Sequence, residues 1–154
     1  MIHKLTDQIY WGNWQSPAEL PMAKAIINVA HSFSSRRGRN VYWANLEQVN
    51  WQAMYFRLAK KDAQAADNTY MLALSDIVNI VDRSNAFPLL CHCQMGGHRG
   101  PTAAMFAAWQ LGGCTPSALK RAFDGIRAVR DAFGTGRNKD YHDSVYAWCK
   151  AHST

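Results

Sequence analysis

The segment from Leu89 to Pro101 places a cysteine directly after a histidine, and an arginine follows that cysteine six positions later. Two adjacent glycines, Gly96 and Gly97, permit a tightly curled backbone between them. In such a turn, successive backbone N–H groups can point at one anion, and the N-terminus of a following helix adds partial positive charge. The same field favours the ionised, nucleophilic thiol of Cys93. The pattern predicts a phosphate-binding loop beside a reactive cysteine.

Arg99 is the residue type that suits this loop. Its planar guanidinium can grip two oxygens of a phosphoryl group, whereas a lysine offers only a point charge. We therefore assign Cys93 and Arg99 as catalytic residues. The predicted phosphate-binding residues are Gln94, Met95, Gly96, Gly97, His98 and Arg99.

The cysteines and histidines of this segment could instead suggest a zinc site. Only one residue separates Cys91 from Cys93, and no second pair of ligands follows at zinc-finger spacing. Neither a zinc site nor a purely structural cysteine explains Arg99 or the paired glycines. We therefore predict a site that needs no metal and no cofactor.

The pair His92-Cys93, with Arg99 six positions on, resembles the signature of the cysteine-dependent protein tyrosine phosphatase superfamily. The nearest resemblance is to its compact dual-specificity branch, whose opening strand and glycine turn resemble residues 9–13 and whose next core strand resembles residues 25–30. The resemblance implies a two-step reaction. Cys93 attacks phosphorus to form a phosphocysteine, and water then hydrolyses it, while an upstream acid serves first as proton donor and then as base.

The resemblance places this acid, an aspartate, a few tens of residues before the cysteine. Asp67 lies 26 residues before Cys93, just ahead of a predicted helix, where an aspartate is also a good N-cap. Glu47 is the alternative, because it directly follows a predicted strand whose carboxyl end should face the same side of the sheet as Cys93. Asp62, or no acid at all, also remains open, and geometry must rank the candidates before pKa does.

Gly100 departs from the pattern of the superfamily. Most members have a hydroxyl residue after the arginine, and its hydrogen bond to the cysteine sulfur eases hydrolysis of the phosphocysteine. Glycine has no such donor, and Thr102 could supply one only from a shifted position. We therefore expect a slow second step. His98 adds an imidazole, which titrates near pH ~6.5, at the rim of the predicted anion site.

Hydrophobic periodicity predicts an α/β fold. A short helix should begin at a capping box on Ser16, with proline at the first helical position. The predicted strands cover residues 25–30, 41–46 and 87–91, and the predicted helices cover residues 51–65, 68–83, 102–111, 116–129 and 141–152. Strands that alternate with helices favour a mostly parallel central sheet flanked by helices, of the phosphatase type. The loop at Cys93 would then lie at the carboxyl end of a strand.

Composition indicates one catalytic domain, residues 1–154, because 48% of the residues are hydrophobic and no linker or repeat divides the chain. The four cysteines lack the spacing of a disulfide framework, and no apolar run is typical of a signal peptide or a membrane span. These features predict a cytoplasmic protein.

The charge balance favours anionic partners. Lysine and arginine number 17 against 11 aspartates and glutamates, which gives a net charge of +6, and Arg36, Arg37 and Arg39 form the densest basic cluster. We expect a phosphomonoester hydrolase of the protein tyrosine or dual-specificity type, acting on a phosphorylated protein or another anionic phosphomonoester. Two alternatives remain open: the same chemistry on a phosphoinositide or the 5′-phosphate end of an RNA, and a phosphate-binding module with little turnover.

Overall fold

The computed structural model describes residues 1–30, 52–60, 64–93, 99–129 and 139–154. The strands are β1 (Ile2–Lys4), β2 (Ile9–Gly12), β3 (Ala25–Ala30), β4 (Met54–Lys60) and β5 (Leu89–His92). The helices are α1 (Ser16–Glu19), α2 (Asn68–Arg83), α3 (Arg99–Leu111), α4 (Pro116–Val129) and α5 (Lys139–Ala151).

The described strands form one five-stranded sheet in the order β1-β2-β5-β3-β4. Only β1 is antiparallel to its neighbour, and the other pairings are parallel. Every residue of β3 and β5 is buried, which is why both strands are almost continuously apolar. The predicted α/β fold with a mostly parallel sheet is confirmed. Because β5 lies between β2 and β3, its carboxyl end opens onto the edge where such sheets bind ligands.

The main hydrophobic core joins the sheet to α2, α3, α4 and α5, while a smaller cluster of Leu20, Ala23, Ile26 and Leu90 lies apart from it. Helix α3 follows the predicted phosphate loop and buries ten of its thirteen residues. Its N-terminus is therefore held firmly by packing. No helix in the described parts of the chain is long and apolar enough to cross a membrane.

The helix predicted over residues 51–65 is wrong, because its described part contains β4. Trp51, Met54, Tyr55 and Leu58 do follow helical spacing, but Met54 to Lys60 also alternates between half-buried and exposed positions. A seven-residue segment satisfies both periods, and parallel pairing with β3 decides between them. The strand lies at an edge of the described sheet, and its side chains alternate between a half-buried face and an exposed face.

Most helix boundaries agree with the sequence. Helices α2 and α4 have the predicted bounds, and Asp67 and Thr115 cap them by accepting hydrogen bonds from the backbone N–H groups of Tyr70 and Ala118. The capping box at Ser16 is wrong: Gln15 is the N-cap, and the Ser16 hydroxyl instead donates to the Met1 carbonyl oxygen.

Further differences concern the start of the chain and the undescribed segments. Strand β1 was not predicted. The predicted strand over residues 41–46 and the basic cluster of Arg36, Arg37 and Arg39 lie outside the described residues.

Candidate active site

Cys93 directly follows β5 and is almost completely buried, with 2% of its surface exposed. Its backbone N–H donates to the carbonyl oxygen of Gly12 at 3.4 Å, which ties the end of β5 to the end of β2. Helix α3 begins at Arg99, six residues further on. The thiol therefore lies between the carboxyl end of a central strand and the N-terminus of the next described helix, as the predicted strand-loop-helix arrangement requires.

His92 supports the backbone at this point. Its ring is fully buried, and Nδ1 lies 3.2 Å from the carbonyl oxygen of Cys93. Because a carbonyl only accepts, Nδ1 carries the proton and donates it. Burial lowers the pKa of His92 to about 4, so the imidazole is neutral near pH 7. His92 therefore orients the Cys93 peptide without adding a charge to the site.

Arg99 is anchored by a strand that the sequence did not predict. Arg99 is buried, with 6% of its surface exposed, and its Nη1 donates to the carbonyl oxygen of Lys60 at 2.8 Å. Lys60 is the last residue of β4, on the side of β3 away from β5. The guanidinium thus bridges the start of α3 and the carboxyl end of β4, so its direction depends on where β4 ends.

Asp67 is both the N-cap of α2 and part of a cleft. Its Oδ1 accepts from the Tyr70 backbone N–H at 2.8 Å, which confirms that the residue is a helix N-cap. The same exposed side chain lines a cleft of about 530 Å³ together with Lys60 and Gln64. Because the Lys60 carbonyl holds Arg99, this cleft runs along the segment that anchors the arginine. Asp67 therefore shares a cleft with Lys60, the residue whose carbonyl oxygen accepts from Arg99, and its role as the general acid stays a prediction.

Helix α5 holds the turn that carries Asp67. The Ser144 hydroxyl accepts from the Ala66 backbone N–H at 2.8 Å, and Trp148 Nε1 donates to Asn68 Oδ1 at 2.9 Å. Ser144 and Trp148 are four residues apart and share one helix face. Sequence reasoning missed these positioning residues, since nothing in their local pattern connects α5 to a segment nearly 80 residues earlier.

Several predicted site residues lie outside the described residues. They are Gln94, Met95, Gly96, Gly97 and His98 of the predicted phosphate loop, together with the acid candidates Glu47 and Asp62. Their roles remain predictions. Within the described ranges, no group of three or more histidine, cysteine, aspartate or glutamate side chains could hold a metal ion.

The structure explains the glycine that follows Arg99. A Cβ atom on Gly100 would lie 3.0 Å from the carbonyl oxygen of Gly12 and 3.1 Å from the backbone nitrogen of Cys93. Both neighbours are backbone atoms, which cannot swing aside. The close approach of α3 to the ends of β2 and β5 therefore leaves little room for a side chain here, because a Cβ would require these backbone segments to shift by a few tenths of an ångström. Thr102 is fully buried, and its Oγ1 has no hydrogen-bond partner among the described residues.

We predict that Gly100→Ala lowers both stability and activity. The added methyl must push α3 away from Cys93, which we expect to cost about 1–3 kcal/mol of unfolding free energy and to reduce kcat for an aryl phosphate. Gly125→Ala on α4 is the matched control, because among the described residues its Cβ would closely approach only the flexible Leu5 side chain. Urea unfolding and steady-state kinetics measure both effects. Unchanged kcat in Gly100→Ala would show that this close packing does not set the geometry of the site.

Comparison with known proteins identifies the family. A family model for protein-tyrosine-phosphatase-like phytases, described as inositol hexakisphosphate, matches residues 7–110, which is more than half of the chain. A comparison with curated proteins produced no match.

Solved structures share the fold at low sequence identity. Human DUSP28 is 11% identical with a TM-score of 0.69, covering 97% of this chain and 93% of that one. OH1 from the Orf virus, a tyrosine phosphatase with triple substrate specificity, is 19% identical with a TM-score of 0.60, covering 99% and 86%. PTPMT1 in complex with PI(5)P is 12% identical with a TM-score of 0.62, covering 97% of both chains. The chain belongs to the protein-tyrosine-phosphatase-like phytase family of the cysteine-dependent phosphatase superfamily, and it shares the fold of compact dual-specificity phosphatases.

Proposed function

We propose that this chain is a phosphomonoester hydrolase of the protein tyrosine or dual-specificity type, with Cys93 as nucleophile and Arg99 as the phosphate-binding cation. One observation carries the proposal: Cys93 directly follows the central strand β5, and a buried Arg99 begins the next helix of the described chain. This arrangement combines a thiol, a helix N-terminus and a guanidinium fork, which together suit attack on a phosphoryl group.

In the proposed reaction, the Cys93 sulfur attacks phosphorus and the bond from phosphorus to the leaving oxygen breaks. Asp67 donates a proton to that oxygen, which gives an alcohol and a phosphocysteine. A water molecule then attacks the phosphocysteine, Asp67 accepts the proton of the water, and inorganic phosphate leaves with the thiolate restored. Arg99 stabilises the charge on the equatorial oxygens in both transition states. We propose that residues 1–154 act as a single catalytic domain, because α5 supports the turn at Asp67.

A direct assay tests this function. The purified chain should release phosphate from an aryl phosphate, and orthovanadate, which mimics the pentacoordinate phosphorus of the transition state, should inhibit it. A chain that binds orthophosphate but turns over no phosphomonoester would be a phosphate-binding module instead, and the proposal would be wrong.

A phosphorylated inositol is the second candidate substrate, and three observations support it. The matching family model is described as inositol hexakisphosphate, and a structure with the same fold is PTPMT1 bound to PI(5)P. The net charge of +6 suits a substrate with several phosphates. The test compares kcat/KM for inositol hexakisphosphate, a phosphoinositide, a phosphotyrosine peptide and an RNA with a 5′ phosphate. A higher value for the phosphotyrosine peptide than for either inositol substrate would contradict the inositol assignment.

We predict that Asp67→Asn separates substrates by their leaving groups. Removing the proton donor should lower kcat strongly for phosphotyrosine, whose phenolic oxygen leaves poorly, and much less for a nitrophenyl phosphate, which leaves without help. Asparagine caps a helix as well as aspartate does, so α2 should keep its start. Kinetics with both esters, together with urea unfolding, measure the two effects separately.

The control for Asp67→Asn is Asp76→Asn, an exposed change on the same helix. It should leave both rates at the wild-type level. Glu47→Gln is the parallel test of the alternative acid. Equal losses on both esters in Asp67→Asn would contradict a role as proton donor, and a leaving-group effect in Glu47→Gln alone would transfer that role to Glu47.

A further inference from the structure

Two tyrosine hydroxyls form a buried chain of hydrogen bonds behind the candidate site. The hydroxyl oxygens of Tyr70 on α2 and Tyr141 on α5 are 3.1 Å apart, and the Tyr70 hydroxyl donates to the carbonyl oxygen of Leu58 at 3.3 Å. A hydroxyl has one proton to donate. Since the Tyr70 hydroxyl donates its proton to the Leu58 carbonyl oxygen, the Tyr141 hydroxyl must be the donor to Tyr70. The direction of the whole chain is thereby set, from α5 through α2 to β4.

This chain ends where Arg99 is anchored. Leu58 accepts from Tyr70, and Lys60, two residues later on β4, accepts from Arg99 Nη1 at 2.8 Å. The pairing of β4 with β3 is irregular here, because Asn28 pairs with Arg57 whereas Ala30 pairs with Lys60. The register of the ladder therefore changes over the last residues of β4, between Arg57 and Lys60. The tyrosine chain and Arg99 act on the same irregular segment.

Both hydroxyls lie deep in the protein and close enough to the site to sense its charges. Tyr141 is completely buried, and Tyr70 is 9% exposed. Burial raises the pKa of both hydroxyls, so both keep their protons near pH 7. For Tyr141, the adjacent Tyr70 and the charge of Cys93 raise the pKa further, while the Arg99 guanidinium opposes the rise. The pair thus stays available as neutral hydrogen-bond donors.

We propose that Tyr70 and Tyr141 are positioning residues for Arg99, holding the end of β4 so that the Lys60 carbonyl aims the guanidinium at the phosphoryl group. The proposal rests on the proposed function of Arg99. Two phenylalanines would fill the same space without the cost of burying two hydroxyls, so core packing alone does not require this pair. Tyr141 also lies beyond residues 7–110, the part that matches the family, so α5 contributes to the site from outside the matched region.

The test compares kcat/KM for an aryl phosphate in wild type, Tyr70→Phe, Arg99→Lys and the double variant. Tyr70→Phe removes the hydrogen bond to Leu58, and we expect kcat/KM to fall about tenfold. The loss should appear mainly in kcat, since the orientation of the Arg99 guanidinium matters most in the transition state. In the Arg99→Lys background the guanidinium is already absent, so Tyr70→Phe should lower kcat/KM less than about threefold. Tyr141→Phe should give a smaller loss than Tyr70→Phe, because Tyr70 can still donate to Leu58.

Tyr146→Phe on α5 is the matched control. Its ring packs against Phe123 at a centroid distance of 5.4 Å, away from β4, and its kcat/KM should equal the wild-type value. Urea unfolding shows that each variant is folded under the assay conditions. An active wild type with unchanged kcat/KM in Tyr70→Phe would overturn the positioning role. A full tenfold loss that persists in the Arg99→Lys background would also overturn it, because the effect would then not pass through Arg99. An inactive wild type would overturn the proposed function itself.

Discussion

Replacing Cys93 by serine is expected to reduce hydrolysis of an aryl phosphate to below about a thousandth of the wild-type rate while orthophosphate binding persists. A serine hydroxyl is hardly ionised near pH 7, so it cannot replace a thiolate as nucleophile. The backbone donors of the predicted loop and Arg99 do not depend on the sulfur, so the variant should still bind the anion. Release of nitrophenol and a calorimetric titration with phosphate measure the two properties independently.

The other cysteines provide the controls for this experiment. Burial raises the pKa of Cys91, and it raises that of Cys149 to about 12, so both remain unreactive thiols. Cys114 is partly exposed, in the turn between α3 and α4, and its pKa is also raised by burial. Cys114→Ser and Cys149→Ser should therefore retain nearly wild-type kcat. Substantial turnover by Cys93→Ser would place the nucleophile elsewhere and exclude the phosphocysteine mechanism.

Arg99→Lys should lose at least about a hundredfold in kcat, or roughly 3 kcal/mol of transition-state stabilisation, although the charge is kept. Arginine can bond the Lys60 carbonyl through Nη1 and present further N–H donors in a rigid fork. A lysine has a single terminal nitrogen on a flexible chain, which cannot keep this anchor and also grip two phosphoryl oxygens in parallel. Steady-state kinetics and orthovanadate inhibition should show the loss together.

Arg121→Lys is the matched control for this change, since Arg121 is exposed on α4. It should preserve both kcat and the free energy of unfolding. If Arg99→Lys kept most of the wild-type kcat, the arginine would be a structural bridge between α3 and β4 rather than a group that binds the transition state.

The sequence alone was enough to select the candidate nucleophile and its arginine. Cys93 and Arg99 belong to one predicted strand-loop-helix segment. The residue types and spacing within such a segment can be recognised without knowledge of the rest of the fold. The structure contains β5 before this loop and α3 after it. Helices α2 and α4 were predictable for a similar reason, because each has a regular apolar face and a side chain that caps its start.

The strand β4 was not predictable, because local periodicity does not determine how a short segment pairs. Residues 54–60 satisfy a helical and an alternating pattern at once, and backbone pairing with β3 favours the strand. This choice matters for the site, since the last carbonyl of β4 anchors Arg99.

Tertiary structure also decided which distant residues support the segments next to the arginine. Asp67 precedes Arg99 by 32 residues, and it lines the same cleft as Lys60, whose carbonyl oxygen accepts from Arg99. The hydroxyls of Tyr70 and Tyr141 meet across 71 residues of chain. Contacts of this kind depend on the three-dimensional arrangement of β4, α2 and α5, whereas a sequence pattern records only the neighbours of each residue along the chain. The residue types of the candidate site can therefore be recognised in the local sequence, whereas packing decides how Arg99 is oriented against β4.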